Sequence, residues 1–298
     1  MDPASDKQEL RFDLSDGLTM VADARGNPED PPVFLLHGGG QTRHAWGGTA
    51  RELATAGFYT LSFDLRGHGD SDWDPDGDYM IETFSRDLVE MVDGMGVHPC
   101  VVGASLGGLT ALLAEGEIRP GLLKAVVFVD ITPRMTPEGT ERIFKFMTAK
   151  PDGFVSLEEA ADHVAAFMPH RPRPDDHSGL EKNLRLGEDG RYRWHWDPQF
   201  LNGRINRSYS EEERAAFLGR LNGAAASLSL PTMLIRGRMS DIVSEDAARE
   251  FLELVPHAEY VDVEDAAHMV AGDRNDIFTK AVKDFLVRAV PRPSVDRR

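Results

Sequence analysis

Apolar and polar positions along the chain change period in a regular way. Near the start, residues 10–14 and 19–24 read as two strands, with Asp16-Gly17 between them as a hairpin signal. Further on, short apolar runs alternate with stretches whose apolar positions recur every three or four residues. The runs at 33–36, 59–63, 100–102 and 124–129 predict strands buried on both faces. Ile81, Phe84, Leu88, Met91, Val92 and Met95 fall on one helical face, so 81–95 is predicted as an amphipathic helix. Helices are also predicted over 43–56, ended by Gly57, and over 106–115. Strands alternating with helices imply parallel β-α-β units.

After Asp130 the alternation stops. Residues 131–229 hold helix-like runs at 137–149, 157–167 and 211–221 and no clear core strand; 191–196 reads as a short two-faced strand after a turn at 187–190. The alternation resumes with a strand at 232–236, a helix at 244–254 with Ser244 as N-cap, a strand at 259–263 and a closing helix at 275–289. The expected organisation is one α/β body in two parts, 1–130 and 230–298, interrupted by a mostly helical insertion, 131–229. The tail at 291–298 reads as loose.

Charge narrows the classes of function. The chain of 298 residues carries a formal net charge of −17, which argues against nucleic acid and anionic membrane surfaces as partners. No apolar run is long enough to span a bilayer, and MDPASDKQEL lacks the basic and apolar regions of a secretory signal. Cys100 is the only cysteine, so no intramolecular disulfide forms; a cytoplasmic location fits. Residues 131–229 are close to neutral, with 14 basic and 15 acidic side chains, against 19 and 35 elsewhere. That asymmetry supports an inserted segment with its own surface.

Chemistry concentrates at Gly103-Ala104-Ser105-Leu106-Gly107, where an apolar strand runs into a glycine-flanked serine and a helix follows at once. A turn that sharp strains the serine backbone, lifts its Oγ off the sheet, and leaves no room for side chains at the flanking glycines. The Leu106 N–H at the helix start is expected to face developing negative charge. A serine hydroxyl needs a base, and the base needs an orienting group. His268 follows the strand 259–263 by a short loop and is the expected base; the other nine histidines lie in the insertion, in early loops or beside proline. The acid should fall between Ser105 and His268 in chain order. Asp241, after the strand 232–236, is the expected acid, and Asp130, ending the preceding strand, is the alternative. Asp265 stands too near His268 in sequence to serve. His37-Gly38-Gly39-Gly40 offers bare backbone for a second oxyanion donor, the N–H of Gly39, with Gly38 beside the substrate.

The loop Asp64-Leu65-Arg66-Gly67-His68-Gly69-Asp70-Ser71 reads as structural, a tight turn held by hydrogen bonds. There is no H-E-x-x-H, no thiolate cluster, no G-x-x-x-x-G-K-[ST] and no G-x-G-x-x-G after a strand, so neither metal nor nucleotide cofactor is expected.

These segments together resemble the α/β-hydrolase superfamily over nearly the whole length. The Asp-x-Arg-Gly-His-Gly-x-Ser stretch is similar to the branch that holds epoxide hydrolases, haloalkane dehalogenases, cofactor-free haloperoxidases and related esterases. The resemblance implies a mostly parallel eight-stranded sheet with helices on both faces and a helical cap inserted after the sixth strand. Epoxide hydrolases and dehalogenases carry aspartate at the elbow, where this chain has Ser105, so attack on a carbonyl is expected instead. The implied function is a serine hydrolase of carboxylic esters or lactones, acting on a small-molecule carbonyl substrate through a Ser105–His268–Asp241 triad. Carbon–carbon hydrolysis of a diketone and perhydrolysis use the same triad and stand as alternatives; a non-catalytic small-molecule receptor is a third. Phe144, Phe146, Phe167, Met168, Trp194, Trp196 and Phe200 are candidates for an apolar wall, with Phe167, Trp194 and Trp196 the named substrate contacts.

Overall fold

The computed structural model describes residues 6–171, 173, 175–201, 210–264, 266–268 and 275–290; Asp265 and the tail at 291–298 lie outside them. Two strands open the chain, β1 (Gln8–Asp13) and β2 (Thr19–Arg25), paired antiparallel as the hairpin signal predicts. The body continues with β3 (Pro32–Leu36), α1 (Gly47–Thr55), β4 (Tyr59–Asp64), α2 (Ile81–Met95), β5 (Cys100–Ala104), α3 (Leu106–Leu113) and β6 (Ala125–Val129). A single 3-10 turn, Arg43–Trp46, replaces the first turn of the helix expected from residue 43, and α3 runs on into a π-helical turn at Ala114–Ile118.

The eight strands form one sheet in the order β1-β2-β4-β3-β5-β6-β9-β10, where β9 is Thr232–Gly237 and β10 is Glu259–Val263. β2 pairs antiparallel with β4, and every pairing from β4 onward to β10 is parallel. Alternation along each strand divides the core. Phe34, Leu36 and Val101 face one layer, built with α2, α3, α6 (Glu211–Ala226) and α7 (Glu245–Leu254). Val33, Leu35, Cys100 and Val102 face the other, under α1 and α8 (Asn275–Ala289). Between β6 and β9 lie α4 (Pro137–Thr148), α5 (Leu157–Phe167), α6 and a separate two-stranded sheet of β7 (Leu184–Leu186) and β8 (Tyr192–Trp194). The predicted two-faced strand at 191–196 is β8, and α6 runs several residues past the predicted end at 221.

The approach of α3 to the sheet explains the glycines around Ser105. A Cβ on Gly103 would stand 2.5 Å from the Gly107 carbonyl oxygen, and one on Gly107 would stand 2.4 Å from that of Leu36. Both obstacles are backbone and cannot swing away. Gly103→Ala is therefore expected to destabilise the protein by about 2–3 kcal/mol. Gly94, exposed on α2 with nothing near its missing Cβ, is the control: Gly94→Ala should stabilise by about 0.5–1 kcal/mol. Urea denaturation of both variants checks the pair.

Candidate active site

Ser105 sits between β5 and α3 at φ 46° and ψ −110°. Among the described residues only Ser105 and Asp130 combine a side chain with positive φ. Non-glycine residues rarely adopt that region, and when they do the surroundings enforce it. At Ser105 the enforcement is visible: its N–H donates to the Val129 carbonyl at 3.2 Å, its carbonyl accepts from Leu109 N, and Gly107 N donates to the His37 carbonyl at 3.1 Å. Leu106 opens α3, so its N–H has no intrahelical acceptor.

Asp130 ends β6, one strand over. Its N–H donates to Ile235 O at 2.7 Å, which ties it to β9. Its side chain is fully buried, with three donors converging on the carboxylate. Gly237 N reaches Oδ1 at 3.1 Å, Ser240 Oγ reaches Oδ2 at 2.5 Å, and His268 Nδ1 reaches Oδ2 at 2.7 Å. A buried carboxylate without such partners would be costly. The loop carrying His268 is drawn over the end of β9: Met239 N donates to Ala266 O, and a Cβ on Gly237 would stand 2.4 Å from Ala267 O. Because a carboxylate only accepts, Nδ1 of His268 carries a proton, which leaves Nε2 as the nitrogen able to act as base. The His268 side chain is 16% exposed, against a fully buried Asp130.

This arrangement corrects the expected acid. The carboxylate of Asp241 points away from His268 and pairs with Arg142 on α4 at 2.5 Å, with the side chain 37% exposed. The Asp241 carbonyl accepts from Thr136 Oγ1. The residue just before it, Ser240, is the one turned inward, and it serves Asp130 while also accepting from Ile242 N and Val243 N. Sequence reading passed over Ser240, which has no signal of its own beyond its place in the loop after β9.

The loop after β3 faces Ser105 from the other side. A Cβ on Gly38 would stand 3.3 Å from Ser105 Cβ. Gly38 N donates to Gln41 Oε1 at 3.0 Å and Gly40 N to His68 Nε2 at 3.1 Å, while the Gly39 N–H has no acceptor among the described residues. Phe200 lies over Gly39, and Met147 and Trp196 lie against Gly40. Phe200 and Trp196 are buried. Trp194 stacks on Trp196 at 4.9 Å, and Phe167 stacks on Phe146 at 4.2 Å with the Arg142 guanidinium 4.7 Å from its ring centre. Of the named substrate contacts, Gly38 and Trp196 adjoin Ser105 and the glycine loop. Trp194 joins through Trp196, and Phe167 belongs to the aromatic cluster of the insertion.

The loop after β4 is structural, as expected. Arg66 is buried and bonded to Asp87, Asp74 and Asp16, and Arg43 is buried against Asp64 and Asp70. Three imidazoles, His37, His68 and His195, pack ring to ring at 5.1 and 5.8 Å beneath the glycine loop.

A profile of the alpha/beta hydrolase fold matches residues 31–274. The chain is 31% identical over 271 residues to esterase Rv0045c of Mycobacterium tuberculosis, covering 86% of this chain and 83% of that protein. It is 28% identical to the mouse (Mus musculus) sn-1-specific diacylglycerol lipase ABHD11 over 88% of this chain and 82% of that one. A crystal structure of the mycobacterial esterase superposes with a TM-score of 0.72 at 26% identity, over 94% of this chain and 92% of that chain. A structure of E-2-(acetamidomethylene)succinate hydrolase reaches 0.80 at 23% identity, over 94% of this chain and 99% of that one, which shows the shared fold alone.

Burial pushes the His37 imidazole down to about 4 and holds His195 well below its ordinary value. Both rings are neutral in the folded protein. Below the unfolded value near 6.5, the unfolded chain takes up protons that the folded chain refuses until about 4 for His37. Stability should therefore fall as pH drops through that window, on the order of 2 kcal/mol per such histidine by pH 5. Urea unfolding at pH 7.5 and pH 5 measures it, and equal stability at the two would contradict neutral burial.

Proposed function

The chain belongs to the alpha/beta hydrolase fold family, and from that premise we propose that it is a serine hydrolase of carboxylic esters, lactones included. One observation carries the reading: Ser105 is held at φ 46° on a strand-to-helix elbow with its N–H on Val129 O, and the next residue, Asp130, offers a buried carboxylate to His268 Nδ1. In this reading Ser105 Oγ attacks the carbonyl carbon and gives its proton to His268 Nε2. The N–H groups of Gly39 and Leu106 hold the oxyanion, the first having no other acceptor among the described residues and the second opening a helix. Collapse breaks the ester bond, and the leaving alkoxide takes the proton from His268. Water, deprotonated by the same Nε2, then attacks the acyl-serine and frees the acid. Asp130 fixes the Nδ1–H tautomer and stabilises the imidazolium.

The insertion acts as a cap in this scheme, and its Trp196, Met147 and Phe200, packed on the glycine loop, make an apolar wall. That favours esters with an apolar acyl or alcohol group. Two relatives named as an esterase and a diacylglycerol lipase support an ester substrate.

Ser105→Ala and His268→Ala should each abolish hydrolysis of short and medium p-nitrophenyl esters while circular dichroism stays unchanged. Asp130→Asn should lower kcat about 10⁴-fold, because an amide can turn its NH₂ to the ring and select the wrong tautomer. Asp241→Asn should stay within about threefold of the parent, as its ion pair is exposed. Full activity in Asp130→Asn with loss in Asp241→Asn would reverse the assignment of the acid.

A further inference from the structure

Gly38, Gly39 and Gly40 have no side chains of their own; the peptide that carries the Gly39 N–H is held at its carbonyl end, where Gly38 O accepts from Gln41 N at 3.1 Å and lies 2.8 Å from His37 Nδ1. Gly40 also has φ +76°, a conformation open to glycine and few others. The peptides on either side of Gly40 are held from other elements. His68 Nε2 accepts from Gly40 N at 3.1 Å, and His68 Nδ1 lies 2.9 Å from the Arg66 carbonyl. His195, from the insertion, accepts from Gly69 N at its Nδ1 at 2.7 Å and places Nε2 3.4 Å from the Gly40 carbonyl. Each ring therefore accepts a backbone N–H with one nitrogen and donates to a backbone carbonyl with the other. Only a neutral ring does both. The two imidazoles grip Gly40 through its N–H and its C=O together.

We propose that His68 and His195 are positioning residues that aim the Gly39 N–H at the oxyanion, so that the insertion, through His195, takes part in building the oxyanion hole. This rests on the ester-hydrolase reading for its catalytic meaning. Packing makes the grip stiff: the two rings lie 5.8 Å apart, His37 lies 5.1 Å from His68, and the Phe200 ring meets His68 edge-on at 4.7 Å. Phe200 in turn covers Gly39. His195 is 1% exposed and His68 fully buried, so water does not replace either contact cheaply. The low proton affinity of His195 under burial agrees with the donor–acceptor pattern.

Paired variants separate aiming from bulk packing. His68→Asn keeps a donor for Arg66 O and removes the acceptor for Gly40 N, whereas His68→Gln carries an oxygen close to the place of Nε2. His195→Asn keeps the acceptor for Gly69 N and loses the link to Gly40 O, whereas His195→Gln keeps that link. Expected results are a kcat lowered 10- to 100-fold in His68→Asn with KM within about twofold, and recovery of most of the rate in His68→Gln. His195→Asn should lose about 10-fold in kcat and His195→Gln less. Hydrogen exchange of the 37–42 backbone supplies a readout that needs no turnover: it should speed up in His68→Asn and return toward the parent in His68→Gln. Unchanged kcat and unchanged exchange in both Asn variants would overturn the proposal, as would equal losses in kcat and KM with no rescue by Gln. If the parent protein hydrolyses no ester, the catalytic reading falls. Exchange alone then decides whether the grip exists.

Discussion

Everything at the site depends on the close seating of α3 against the ends of β3 and β5. The backbone of Gly107 reaches Leu36 and the backbone of Gly103 reaches Gly107, at separations where no methyl group fits. That seating forces the link at Ser105 into positive φ, and strain of this kind costs on the order of 1–3 kcal/mol. The surroundings supply it. β3, β5 and β6 are buried on both faces, and their parallel ladders fix the relative height of Leu36, Ala104 and Val129. With Ser105 N bonded to Val129 O, Ser105 and Asp130 share one hydrogen-bonded step between strands. The second strained residue, Asp130, is held from β9 in the same way, so both departures from ordinary backbone geometry arise from one rigid edge.

Burial sets the electrostatics of that edge. The chain is strongly acidic, yet the buried groups around Ser105 are one carboxylate and several neutral rings. The carboxylate is matched by a backbone N–H, a hydroxyl and the histidine, which spares it the cost of an isolated buried charge. Formal charge near the glycine loop is kept in the neighbouring turn, where Arg66 and Arg43 are each surrounded by aspartates. A charged imidazole beneath the loop would oppose this arrangement and would break its N–H···N bonds, consistent with the downward shift at His37 and His195. The Gly39 N–H therefore sits among backbone dipoles and neutral rings.

Local signals made much of this legible. Short apolar runs and period-3.6 patterns place the strands and helices, and glycine flanking on both sides of Ser105 states a steric requirement that the structure meets in detail. His268 after the last strand is readable because strand ends converge. The acid is not readable in the same way, since Asp130 and Asp241 both follow strands and both lie between Ser105 and His268. What separates them is the φ of 49° at Asp130 and an arginine 99 residues before Asp241 in the chain, neither of which is a local property. The role of His195 is hidden for the same reason. Its partner Gly69 is 126 residues away, and between two tryptophans it reads as an ordinary buried ring.

The insertion meets the body through two kinds of contact, and the difference bears on which side is firm. At α4 the Arg142–Asp241 ion pair is exposed, a class that contributes about 0–1 kcal/mol, and the N-cap Thr136 adds hydrogen bonds to Asp241 O and, through its N–H, to Ile242 O at 2.9 Å. At residues 183–201 the links are buried and directional. Tyr79 Oη donates to Asp197 at 2.5 Å, Asp197 N donates to Gly67 O, and His195 bridges Gly69 and Gly40. Breaking these leaves unsatisfied polar groups in the core, at about 1–3 kcal/mol each. All of them land on the turns after β3 and β4, the side that carries the Gly39 N–H. The segment 183–201 is therefore bound to the turns after β3 and β4 as part of the body, while α4 reaches both the loop after β9, through Thr136 and Arg142, and the glycine loop, through Met147.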